Sequence, residues 1–168
     1  MTNPLGEPRE RRAHVIVAST RAAAGVYDDR TGPVIADWLR HRGWANPIVQ
    51  VVPDGDEVVA ALQDAIESGV DLLVTTGGTG VTPTDRTPEA TLPLLDRELP
   101  GVIEAIRRRG AESTPLASLT RGHAGIARGR TFVVNLPGST GGVKDGLAVL
   151  DEVLDHVLDQ LHGGDHEH

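Results

Sequence analysis

Two aspartates and a glycine-dense run hold most of the chemistry available to this chain. The run is Thr75-Thr76-Gly77-Gly78-Thr79-Gly80, followed by Asp85 and then Thr87-Pro88-Glu89-Ala90. Three glycines within four residues leave backbone N–H groups uncovered by side chains, so a phosphate or a flat ring can approach them closely. Thr87 reads as a helix N-cap with Pro88 at the first helical position. A strand, a bare loop, a carboxylate and a helix start, in that order, describe an anion or nucleotide site with a metal-ligating carboxylate beside it. The same residues also suit a tight strand-to-helix turn that needs glycine for its dihedrals. Asp54 follows a second apolar stretch, so a sheet that aligns the two stretches would bring both carboxylates to one edge. Two carboxylates facing a phosphate chain suit Mg²⁺, which takes one or two of them together with phosphate oxygens and water. Each aspartate has a plainer alternative. Asp54-Gly55-Asp56-Glu57 imitates a capping box, and Asp85 is placed to brace the turn.

A second strand-to-helix junction, Pro137-Gly138-Ser139-Thr140-Gly141-Gly142, offers free N–H groups with a long helix behind them. It also reads as an ordinary N-cap supplied by Ser139 or Thr140. Thr120-Arg121-Gly122-His123-Ala124-Gly125 mixes a hydroxyl, a cation and glycines and is a weak signal alone. The C-terminal histidines His156, His162, His166 and His168 lack a reliable metal-ligand spacing, because Gly163-Gly164 interrupts the helix between them. There is no Walker A pattern, no G-x-G-x-x-G after the first strand, no G-x-S-x-G and no H-E-x-x-H.

These loops need a scaffold, and the periodicity supplies one. Strands are expected over 14–18, 47–52, 71–75 and 131–135. Helices are expected over 31–42, 55–68, 88–95, 101–109 and 140–161. The stretch 115–126 resists assignment beyond a short helix and a small strand. Alternating β and α units with continuously apolar strands indicate an α/β three-layer sandwich, a mostly parallel central sheet flanked by helices. Ligands of such sheets bind outside the carboxyl ends of the strands. That rule selects the loops at Ser19-Thr20-Arg21, Pro53-Asp54, Gly77 to Asp85, and Leu136 to Gly142. One domain over 13–162 is expected, with disordered tails at 1–12 and 163–168. The surplus apolar residues Val102, Ile103, Ile106, Leu116 and Leu119 are assigned to an interface between copies, while each protomer holds most of its own site.

Composition narrows the function. The 168 residues suit one domain, and 39% hydrophobic residues suit a globular core built from Ala, Val and Leu, since aromatics are only 2%. The absence of cysteine removes disulfides, thiol nucleophiles and thiolate-held metals. A formal net charge of −8 argues against general nucleic-acid binding. No apolar run approaches the roughly 20 residues that cross a membrane, and residues 1–12 lack the apolar segment of a secretory signal. A cytoplasmic protein is expected. Among 16 cationic residues only Lys144 is a lysine; Arg21, Arg121, Arg128 and Lys144 lie near the glycine-rich stretches and are the candidate anion partners.

The motifs together resemble the MogA/MoaB family of molybdenum-cofactor biosynthesis, which includes the G domains of gephyrin and plant Cnx. The likeness is carried by Ser19-Thr20-Arg21-Ala22-Ala23-Ala24-Gly25, Asp29-Arg30-Thr31-Gly32-Pro33, Val52-Pro53-Asp54, the glycine run with Asp85 and Thr87-Pro88-Glu89-Ala90-Thr91, Arg97-Glu98-Leu99-Pro100-Gly101, Thr120-Arg121 with Ala124-Gly125, and Asn135-Leu136-Pro137-Gly138-Ser139. The resemblance implies a molybdopterin-binding fold that assembles as trimers or hexamers. It implies adenylyl transfer from Mg-ATP to the terminal phosphate of molybdopterin, with release of pyrophosphate. A non-catalytic, MoaB-like molybdopterin-binding protein of the same pathway is the alternative. It further implies that Asp54 and Asp85 are the catalytic, metal-holding pair. Ser19, Arg21, Thr76, Gly77, Gly78, Thr79, Gly80, Thr120, Arg121, Asn135, Pro137, Gly138 and Ser139 are the implied nucleotide and pterin contacts. A MoeA-like protein that inserts molybdate is the implied downstream partner.

Overall fold

Runs of Val, Ile, Leu and Thr bounded by glycine and proline fold into six strands: β1 (Ala13–Ala18), β2 (Ile48–Val52), β3 (Leu72–Thr76), β4 (Arg97–Glu98), β5 (Ala124–Ala127) and β6 (Thr131–Leu136). The computed structural model describes residues 9–163. The strands form one sheet in the order β2-β1-β3-β6-β5-β4. The first four in that order run parallel, whereas β5 is antiparallel to β6 and β4 to β5. Helices α1 (Thr20–Ala23), α2 (Thr31–His41), α3 (Asp56–Glu67), α4 (Thr87–Thr91), α5 (Pro100–Ala111) and α6 (Thr140–Leu161) connect them.

Successive strand residues point to opposite faces, and both faces are covered. On one side Val15, Leu72, Val74, Phe132 and Val134 pack beneath α2, α5 and α6. On the other, Ile16, Leu73 and Val133 meet Val58, Leu62 and Ile66 of α3. This is the expected three-layer sandwich. Because β1, β2, β3 and β6 are parallel, all four expected ligand loops leave the same edge of the sheet.

Several local expectations need correcting. Ile103 and Ile106 are buried in the core on the inner side of α5 and are not interface residues; Leu116 and Leu119 are exposed. Thr87 does not cap a helix: α4 begins at Thr87 itself, Arg86 holds the cap position, and no side chain caps there. The helix expected over 88–95 is shorter, giving way to a 3₁₀ turn at Leu92–Leu94. The two-residue strand β4 and the single turn α1 were not foreseen. At the opposite edge of the sheet, residues assigned to the N-terminal tail make ion pairs: Arg9 with Asp71, and Arg11 with Asp155 and Asp159, both at 3.0 Å. Residues 1–8 and 164–168 of the expected tails lie outside the described residues.

Candidate functional site

The carboxyl edge is built by loops that hold one another in place. The Thr76 hydroxyl donates to Pro137 O at 2.8 Å, Gly77 N–H to Leu136 O at 3.3 Å, and Ser19 N–H to Val52 O at 2.9 Å. Gly77 and Gly78 both have positive φ, 87° and 67°, which side-chain-bearing residues rarely adopt. Space forbids a substituent as well: a Cβ on Gly77 would collide with the Ala18 carbonyl, and one on Gly78 with the Thr87 hydroxyl. The bare loop is therefore a requirement of packing and of dihedral angle.

Ser19, Thr76, Gly77, Gly138 and Ser139 line one cleft of about 180 Å³, together with Thr140, Tyr27 and Arg30. Ser19 caps α1 through its Oγ, which accepts from Ala22 N–H at 3.2 Å. Ser139 likewise caps α6, accepting from Gly142 N–H at 3.0 Å. The cap leaves the first N–H groups of a 22-residue helix without intrahelical partners at the cleft, a favourable setting for an anion. Tyr27 and Arg30 were not singled out as site residues. The Arg30 guanidinium lies 5.5 Å from the Tyr27 ring centroid, so the pair presents a flat cationic-aromatic surface at the cleft. The only sequence signal was for Arg30, in the Asp29-Arg30-Thr31-Gly32-Pro33 block; Tyr27 had none.

The glycine loop continues from this cleft to a second depression of about 400 Å³ lined by Thr82, Asp85, Arg86, Glu89 and Arg121. Asp85 Oδ2 accepts from Thr82 N–H at 3.1 Å and from the Thr82 hydroxyl at 2.6 Å, so it does brace the turn. Its other oxygen has no hydrogen-bond partner among the described residues. Asp54 is arranged the same way. Its Oδ2 accepts from the Thr20 N–H at 3.3 Å and the Thr20 hydroxyl at 3.1 Å, tying the second strand's loop to the first, and its Oδ1 is left over. Asp54 does not cap α3; Gly55 holds that position without a side-chain bond. Each carboxylate is thus half fixed and half available.

Arg121 and Asn135 are both engaged by the protein's own groups. Arg121 directs its guanidinium inward, to Gly80 O and Asp85 O, both at 2.7 Å, and to the Glu89 carboxylate. The bond from Arg121 holds the Glu89 carboxyl below the usual carboxylate range. A cation committed to three acceptors is a brace for the loop. Asn135 is fully buried, its amide donating to the Thr75 and Thr91 hydroxyls and its oxygen accepting from His123 N–H. It supports the loop from beneath and has no surface for a direct ligand contact. Thr79 is buried too, while Arg21 is exposed on α1. Thr120 offers its carbonyl to Arg107 Nε at 2.7 Å.

Comparison with known proteins agrees with this arrangement. A family model described as "probable molybdopterin binding domain" matches residues 14–156. The molybdopterin adenylyltransferase of Pyrococcus furiosus is 40% identical over 156 residues, covering 90% of this chain and 91% of that protein. The molybdenum cofactor biosynthesis bifunctional protein of Synechococcus elongatus is 41% identical over 155 residues, and this chain spans 48% of its length. The solved structure of the molybdopterin biosynthesis Mog protein from Mycobacterium ulcerans superimposes with a TM-score of 0.86 at 54% identity, covering 90% of this chain and 99% of that one. MoaB from Thermus thermophilus gives 0.83 at 39% identity, covering 94% and 99%. With the family model matching residues 14–156 and these relatives matched along nearly the whole chain, this protein belongs to the MogA/MoaB family of molybdopterin-binding domains.

Proposed function

We propose that this chain is a molybdopterin adenylyltransferase. An oxygen of the terminal phosphate of molybdopterin forms a bond to the α-phosphorus of ATP, the bond from that phosphorus to the β-phosphate bridging oxygen breaks, and pyrophosphate leaves. The phosphate nucleophile already carries its negative charge, so no protein base is needed and catalysis reduces to positioning and charge neutralisation. The observation that carries this reading is that both aspartates border the bare glycine loop, each with one oxygen anchored by a threonine and the other without a hydrogen bond among the described residues. A protein that only bound the pterin would have less need for two such oxygens, and this favours the enzyme over the MoaB-like alternative.

The free oxygens of Asp54 and Asp85 fit Mg²⁺ chemically. They are hard donors, and among the described residues no group of three or more His, Asp or Glu forms a protein-only metal cage. That pattern suits an ion that takes its remaining ligands from phosphate oxygens and water. When bound, Mg²⁺ supplies charge neutralisation on those oxygens. The chain's own work is to orient phosphates with the N–H groups of the glycine loop and of the first turn of α6. Arg121 and Asn135 keep the loop rigid while it does so.

The exposed Leu116 and Leu119 are the surface we assign to a homo-oligomeric contact, a trimer or hexamer. We place the protein in the cytoplasm, where a MoeA-like molybdate-inserting protein would consume its product. Among the described residues no helix is long and apolar enough to cross a membrane. The test is direct: purified protein should release pyrophosphate from ATP only when molybdopterin and a divalent cation are both present. Pyrophosphate release without molybdopterin, or none with it, overturns the proposal.

A further inference from the structure

Thr87 is only 1% exposed, and its hydroxyl has no hydrogen-bond partner among the described residues. The neighbouring buried polar groups are all paired. Asn135 Nδ2 donates to the Thr75 and Thr91 hydroxyls at 2.9 and 3.0 Å, and the Thr91 hydroxyl donates to Thr87 O at 2.8 Å. Thr87 N–H itself donates to Gly78 O at 3.1 Å. One lone hydroxyl in a network otherwise satisfied marks a place where a partner arrives from outside it.

Its position identifies that partner. A Cβ on Gly78 would collide with Thr87 Oγ1 and would stand 3.3 Å from Asp54 Oδ1. The missing side chain opens a notch with the unpaired hydroxyl on one wall and the free carboxylate oxygen on another. We propose that Thr87 is a positioning residue for adenylyl transfer. When nucleotide and cation are seated on the glycine loop, its hydroxyl donates across Gly78 directly to Asp54 Oδ1. The inference rests on the role given to Asp54 above. A carboxylate oxygen has lone pairs for both a hydrogen bond and a cation, and such outer bonds fix the orientation of a ligating carboxylate. Gly78 then serves the site twice, by its dihedral and by the opening it leaves.

Thr87→Val keeps the shape of the side chain and removes the hydroxyl; Thr87→Ser keeps the hydroxyl. With the full chain and a non-hydrolysable ATP analogue, Mn²⁺ binding followed by electron paramagnetic resonance should weaken about tenfold in Thr87→Val and stay within about threefold of wild type in Thr87→Ser. Without ligand, Thr87→Val should melt at or above the wild-type temperature, since it loses no hydrogen bond. Asp54→Asn retains Asp85 as a ligand, and adding Thr87→Val to it should leave its residual Mn²⁺ affinity unchanged. Wild-type Mn²⁺ affinity in Thr87→Val overturns the inference, whether or not the melting temperature falls. So does an equal loss in the Asp54→Asn background. A wild-type protein that binds the Mn²⁺–nucleotide but forms no adenylyl product would overturn the proposed reaction, while the Mn²⁺ comparison would still decide the role of Thr87.

Discussion

The two edges of the sheet treat their carboxylates in opposite ways. At the amino edge, Asp71 is 2% exposed and fully engaged: Arg9 pairs with it, Arg12 N–H donates to it at 2.8 Å, and His162 Nε2 lies 3.1 Å away. At the carboxyl edge, Asp54 and Asp85 each keep one oxygen without a partner among the described residues, and so does the hydroxyl of Thr87 beside Gly78. A buried charge contributes to stability only when its partners are in place, so the amino edge is assembled for folding. Incomplete coordination sacrifices some stability and leaves donors and acceptors for a ligand. The difference sets a carboxylate used up by its protein partners apart from two that keep an oxygen for something else.

Exchanging the substitutions tests that separation. The largest expected effect is on turnover in Asp85→Asn. Loss of metal-assisted charge stabilisation should lower adenylyl transfer by about a hundredfold or more with little change in melting temperature. Near-normal turnover would remove Asp85 from the reaction and leave it a turn brace. Next is Asp71→Ala, which strands the Arg12 N–H and the Arg9 guanidinium. Denaturant unfolding should show a loss of about 2 kcal/mol, with activity per folded molecule unchanged. An unchanged midpoint, or a loss of turnover matching that of Asp85→Asn, would erase the contrast between the edges.

The smallest effect lies in neither region. Burial pushes His14 below its ordinary value of 6.5, with Gln50 Oε1 at 3.0 Å from its Nε2 opposing the shift. Below pH 6.5 the unfolded chain therefore binds a proton that the folded chain resists, and stability falls with pH until folded His14 is itself protonated. Urea midpoints at pH 7.5 and 5.5 should differ, and His14→Gln should reduce the difference. A slope that survives the substitution would show that the proton uptake is not that of His14.

Legibility in the sequence followed the length and regularity of each signal. The long apolar runs of β1, β3 and β6 and the stripe through Val143, Leu147, Leu150, Leu154 and Leu158 gave the sheet and α6 directly, because burial repeats along them. Two charged residues, Arg97 and Glu98, carry no alternation, and so β4 was invisible before its pairing with β5. Ile103 and Ile106 were misplaced because α5 has a weak apolar stripe, whose core contacts come from distant strands. At the site, the aspartates and glycines were legible as a group because all of them follow strands of a parallel sheet, although each alone also suits a cap or a turn. The inward turn of Arg121 and the burial of Asn135 depend on partners 30 to 60 positions away, and the vacant hydroxyl of Thr87 on the lack of one, none of which local pattern records.

Helix α6 joins the two edges. It starts at the Ser139 cap beside the cleft and ends at His162, against Asp71. Its 22 residues make a rod of about 33 Å, so a tilt of about 2° at one end displaces the other by about 1 Å. An error of that size at a reacting centre can reduce rate about a hundredfold. Core contacts at Val143, Leu147, Leu150, Leu154 and Leu158 hold the rod against the sheet along its length, so the loop at its start keeps its aim when an ion pair at the far end is lost.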